Sequence, residues 1–155
     1  MVSTRERPAR QVREFQHRSG SAPPAARWTR RGTCRGDVDG RYADKALLRV
    51  GDAPITGAGT YANNRSCAVS ATGTREYFIC NTVVHSICAL MEYGRLPLAQ
   101  AADSIIMRQL VTQTGDGGVS AMDRQGNWAW PFNTSGMYRG RIDAAGNVRI
   151  EIFRE

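Results

Sequence analysis

No stretch of this 155-residue chain is apolar over the length of a membrane-spanning helix, and its arginine-rich start holds no hydrophobic segment of the signal-peptide kind. The expectation is a soluble, cytoplasmic protein, although the Arg and Ser content of the start would also suit a transit peptide. Metal-binding spacing is missing as well. Cys34, Cys67, Cys80 and Cys88 form neither a CxxC pair nor a zinc-ligand pattern. Cys80 and Cys88 fall on one apolar helical stripe and are expected as small buried hydrophobes. His85 is the only histidine after residue 45, and no Ser, Cys or acidic pattern beside it suggests a catalytic triad. It reads as a structural or surface histidine, and no metal or cofactor is called for.

Aliphatic residues are scarce in the first quarter. Up to residue 41 the larger apolar side chains are Val2, Val12, Phe15, Trp28 and Val38, at no helical or strand period. Such a segment buries too little surface to offset its ordering entropy, so residues 1–42 are expected to be disordered or poorly packed. The net charge of +7 belongs largely to this start. Residues 1–45 carry 11 Lys/Arg against 5 Asp/Glu, while the remainder carries 10 against 9. The remainder has no basic patch interleaved with aromatics, which leaves nucleic-acid binding through the N-terminal arm as a minor alternative.

What is present is concentrated between Arg49 and Glu76, RVGDAPITGAGTYANNRSCAVSATGTRE. Pro54, Gly57 and Gly59 impose a tightly turning backbone, and the run around Val69 and Ala71 reads as a buried strand. That strand would end at Thr72-Gly73-Thr74, just before a helix start, where backbone N–H groups become available. Arg49 and Asp52 lie three apart. As a surface ion pair they would contribute about 0–1 kcal/mol. As a recognition pair, a guanidinium would fork onto an α-carboxylate while a carboxylate accepts from an α-ammonium.

Apolar residues at three- and four-residue steps (Cys80, Val83, Val84, Ile87, Cys88, Met91) predict a helix over 76–93 that stops at Gly94. Pro97 suits the first turn of a second helix over 97–111, with Leu98, Ala102, Ile105, Ile106 and Leu110 inward. The end of the chain reads as strands over 118–123, 127–132 and 148–153, the first two joined by a tight loop at Arg124-Gln125-Gly126. In the last strand Val148, Ile150 and Ile152 alternate with Arg149 and Glu151, which predicts one wet face. Strands, two helices and more strands make layered α/β packing.

Several of these segments, in order, resemble one family. RVGDAPITGAGTYANN, the S-x-TGT-x-E run at 70–76, Tyr77-Phe78-Ile79, Met91-Glu92-Tyr93-Gly94 and PFNTSGMYRG at 131–140 are similar to the β-subunit of plant-type asparaginases, also called isoaspartyl peptidases. These are N-terminal-nucleophile hydrolases. The resemblance covers residues 43–155 and implies an αββα sandwich. It implies hydrolysis of β-aspartyl peptide bonds or of the L-asparagine side-chain amide. By resemblance, Arg49 and Asp52 hold the substrate's α-groups, and the Thr72 hydroxyl and Gly73 N–H form the oxyanion hole. A family-type α-subunit and a homo-oligomer are the implied partners. Asn133, Thr134 and Ser135 match a family segment without an independent reason to call them catalytic.

Two departures stand out. The family's TGTG-E motif has Arg75 in place of its last glycine; a left-handed backbone there would cost an arginine about 1–2 kcal/mol. The family's nucleophilic threonine, in a GTVGAVA motif followed by TSTGG, has no counterpart here, because Thr33 is followed by the charged, Gly-rich Cys34-Arg35-Gly36-Asp37. Codons for Gly36–Arg41 read one base on permit Ala-Thr-Ser-Thr-Gly-Gly, and Thr33–Arg35 permit Leu-Ala-Ala. The start is thus expected to be frame-shifted relative to the family. The sandwich would lack its nucleophile strand, and the chain alone is expected to be inactive. The alternative is a catalytically dead fragment that binds amino acids or joins an intact homologue.

Overall fold

The computed structural model describes residues 25–28 and 34–37 as backbone, and residues 55–142 and 146–153. Strand β4, Cys67–Gly73, is the axis of the molecule. Its first five residues are all buried. Antiparallel partners flank it on both sides, β3 (Thr60–Ala62) and β5 (Gly117–Asp123), and β6 (Trp128–Ala129) extends the sheet in the order β3-β4-β5-β6. Alternation divides the two faces. Cys67, Val69 and Ala71, with Val119 and Ala121 of β5, pack into the core with the helices. Ala68 and Ser70 point the other way and are nonetheless fully buried.

That second face is covered from the start of the chain. β1 (Ala25–Trp28) and β2 (Cys34–Asp37) pair antiparallel as a separate ribbon and lie close to β4 and β5. Since β4 and β5 are inner strands, the ribbon meets the sheet on the side away from the helices. The segment expected to be disordered, residues 1–42, therefore contains two paired strands; its remainder lies outside the described residues.

The predicted helix over 76–93 is two helices, α1 (Arg75–Cys80) and α2 (Val83–Glu92). α1 is closed by Asn81, whose N–H and Nδ2 both donate to the Tyr77 carbonyl, at 3.1 and 2.7 Å, and Thr82 turns left-handed at φ 43°. The break takes Cys80 off the stripe. It is exposed, which corrects the expectation of a buried residue. Cys88 is buried as expected, and it is joined by a disulfide to Cys67 at the start of β4. α2 stops where expected, with Tyr93 as its C-cap and Gly94 just beyond, and the left-handed residue that follows is Arg95, φ 54°.

From Pro97 a second rod runs through α3 (Leu98–Asp103), a π-helical segment at Ser104–Gln109, and α4 (Leu110–Thr112). Leu98, Ala102, Ile105, Ile106 and Leu110 are all buried, as their spacing predicts. Together with α2 this rod lies on the sheet. The β5–β6 connection is the expected tight turn. Asp123 organises it, its Oδ1 accepting from the Gln125 and Asn127 N–H groups at 2.9 Å and its Oδ2 from Asn127 Nδ2 at 2.8 Å.

A second ribbon pairs β7 (Arg139–Ile142) with β8 (Val148–Glu151), and β8 lacks the predicted dry face, since Val148, Arg149 and Ile150 are all exposed. Val148 and Ile150 are 51% and 63% exposed. The inner side is taken by Arg139, which bonds Glu151 at 2.7 Å and the Phe153 carbonyl at 2.8 Å while lying on the Trp130 and Phe132 rings. A guanidinium with both carboxylate and aromatic partners holds the inner position.

Candidate active site at the open end of strand β4

Thr72 and Gly73 are the last residues of β4, opposite Gly118 and Gly117 of β5. Hydrogen bonds in an antiparallel ladder alternate from side to side, and two observations fix the phase here. Thr74 N–H donates to the Asp116 carbonyl at 2.7 Å, and Ala71 N–H donates the other way, to Gly59 at 2.8 Å. Gly73 therefore has its N–H on the β3 side. β3 begins at Thr60, and the turn at 57–59, whose Gly59 carbonyl takes the Ala71 N–H, continues along that side. By the same alternation the Thr72 side chain stands on the face away from the helices. A hydroxyl and an N–H thus meet at one corner of the sheet.

The corner depends on close backbone approach. A Cβ on Gly73 would run into the Asp116 carbonyl and lie 2.5 Å from Phe78 Cε2 and 2.7 Å from Gly117 Cα. A Cβ on Gly117 would meet the Thr72 carbonyl at 2.5 Å and the Phe78 ring at 2.7 Å. Phe78, fully buried on α1, is the floor against which both glycines sit. Only glycine at both positions lets the strand ends come together over that ring.

This glycine-lined strand end, followed at once by a helix, falls within a match to the asparaginase family model over residues 39–152. The chain belongs to the asparaginase family. The isoaspartyl peptidase of Escherichia coli is 48% identical over 128 residues, which cover 77% of this chain and 40% of the relative. That of Salmonella typhimurium is 48% identical over 116 residues, covering 75% of this chain and 37% of its own length. A probable isoaspartyl peptidase/L-asparaginase of Arabidopsis thaliana is 36% identical over 118 residues, covering 76% and 35%. This asparaginase-family chain therefore spans about 40% of the length of its Escherichia coli relative.

Of the four residues singled out from the sequence, Thr72 and Gly73 are adjacent at this corner, while Arg49 and Asp52 lie outside the described residues, as does Thr33. Arg75 opens α1 and is absent from the left-handed residues, which are Thr82, Arg95 and Thr114 among the described non-glycines. The strain considered for arginine there does not arise. His85 is exposed and sits edge-on to Tyr61 with ring centroids 5.0 Å apart, in keeping with a surface histidine.

Asn133 is what the sequence left unexplained. Its Nδ2 donates to the Gly115 carbonyl at 2.6 Å, its Oδ1 accepts from Gly117 N–H at 2.7 Å, and its own N–H donates to the Gly117 carbonyl at 3.0 Å. These bonds hold the turn that faces Gly73 from across the ladder. Two glycines flanking one residue at 115–117 was the only local sign of a close approach.

Proposed function

We propose that this chain supplies the β-subunit-like part of an isoaspartyl peptidase/asparaginase, with the αββα architecture of N-terminal-nucleophile hydrolases. The substrate is a β-aspartyl peptide or L-asparagine. Arg49 grips its α-carboxylate and Asp52 its α-ammonium, the arrangement in which a planar guanidinium and a carboxylate read a zwitterion. As the amide carbonyl is attacked, its oxygen gains charge, and the Thr72 hydroxyl and Gly73 N–H stabilise it. Each such donor contributes about 2.7–4 kcal/mol in a working site. What supports this reading is the corner itself, where the Gly73 N–H faces the β3 side of the sheet next to Thr72.

The nucleophile of this family is a threonine whose own α-amine acts as base. No matching motif is present, so the 155-residue chain binds substrate but does not turn it over. Turnover requires the family-type α-subunit and an in-frame nucleophile segment, and the complete enzyme is a cytoplasmic oligomer.

Titration of the chain with L-aspartate, the reaction product, tests the anchor. Binding is expected, and Arg49→Lys is expected to weaken it at least tenfold because charge survives while the two-pronged geometry does not. Absence of binding, or an unchanged affinity in Arg49→Lys, overturns the anchor assignment. Release of amino acid from a β-aspartyl dipeptide by the homogeneous chain would overturn the claim that the nucleophile is missing, and Thr33, Thr72 and Thr74 would then be replaced one at a time.

A further inference from the structure

We infer that Asn133 is a positioning residue for the oxyanion corner, acting through the Gly115–Gly117 turn on the Gly73 N–H. This rests on the oxyanion reading of Thr72 and Gly73 given above. Asn133 lies in the segment between β6 and β7, remote in sequence from the site, yet its carboxamide spans the turn in both directions, accepting from Gly117 and donating to Gly115. That clamp fixes the peptide between Gly115 and Gly117, whose middle carbonyl, Asp116, takes the Thr74 N–H. Thr74 follows Gly73 directly, so the orientation of the 73–74 backbone is set by this bond. The opposite flank is held by Tyr77, whose ring would lie 2.9 Å from a Cβ on Gly115 and whose hydroxyl is 3.3 Å from Thr114 Oγ1.

The donor and acceptor ends of the amide are both used, which explains the residue type. Aspartate would keep the bond from Gly117 N–H but present a second acceptor to the Gly115 carbonyl. Serine or alanine would not span the turn. The segment bearing Asn133 is in turn anchored at its far end, where Met137 N–H donates to Ile152 at 2.9 Å. An oxyanion donor works only if its aim is fixed before charge develops, and here the aim is set from two segments away.

The test compares the native chain with Asn133→Ala and Asn133→Asp by amide hydrogen exchange and by the Gly73 amide proton shift under saturating L-aspartate. Exchange at Thr74 is expected to quicken at least tenfold in both variants, with Ala71 and Asp123 amides unchanged. The downfield movement of the Gly73 amide on ligand binding is expected to fall by half or more even at saturation, which loss of affinity alone would not produce. Should Asn133→Ala fail to fold, Asn133→Asp carries both measurements. Unchanged Thr74 exchange, or a full Gly73 response in a folded variant, overturns the inference. A native chain whose Gly73 amide ignores the ligand overturns the oxyanion reading instead, and the exchange result alone then decides whether Asn133 sets the turn.

Discussion

The two ends of the β4–β5 pair are built in opposite ways. At the Cys67/Asp123 end, side chains of the strands themselves close the structure. Asp123 folds its own turn through bonds reaching two and four residues ahead, and the Cys67–Cys88 disulfide ties the strand to α2. At the Gly73/Gly117 end, the strand residues that meet are glycines. Glycine backbones meet over the Phe78 ring, and an asparagine from another segment holds the turn. The candidate site lies at this second end.

The largest expected effect is at the open end. Phe78→Ala removes the floor beneath both glycines and should cost about 3–5 kcal/mol in denaturant unfolding. A loss under 1 kcal/mol would mean that the glycines do not depend on the ring. Next comes the closed end. Reduction of the Cys67–Cys88 bridge, which spans 21 residues, should lower stability by about 3 kcal/mol while leaving the Gly73 amide shift in place. A Gly73 signal that moves on reduction would show the two ends to be coupled through β4.

Gly73→Ala should cost about 1–3 kcal/mol by forcing a methyl group against Phe78 and Gly117. Unlike the bridge, it should also abolish the response to L-aspartate at Thr72, and an intact response would dismiss the corner as the oxyanion site. The smallest effect belongs to Asp123→Ala, about 1 kcal/mol from lost turn hydrogen bonds, measured as a lower melting temperature with unaltered aspartate affinity. A change in that affinity would contradict the independence of the two ends.

Local chemistry made much of this legible. The alternation around Val69 and Ala71, the stripe from Leu98 to Leu110 and the Arg124–Gly126 turn all formed as their residues predict, because each depends on near neighbours. The family was legible through motifs in order, and Thr72-Gly73 through the strand end it terminates. Three features went the other way. A left-handed Thr82 broke a helical period that the apolar spacing alone carried through. Cys80 left the core with that break.

The β7–β8 ribbon left Val148 and Ile150 exposed, while Arg139 took the inner position against Glu151 and two aromatic rings from another segment. By itself, the sequence determined the buried strand around Val69, the inward face of the helix from Leu98 to Leu110, the turn at 124–126 and the family to which the chain belongs; these follow from periodicity, turn residues and motif order along the chain. Only the tertiary structure decided which way the Gly73 N–H faces and which turn Asn133 bonds. Those outcomes rest on ladder phase and on contacts between residues tens of positions apart, which no spacing along the chain encodes.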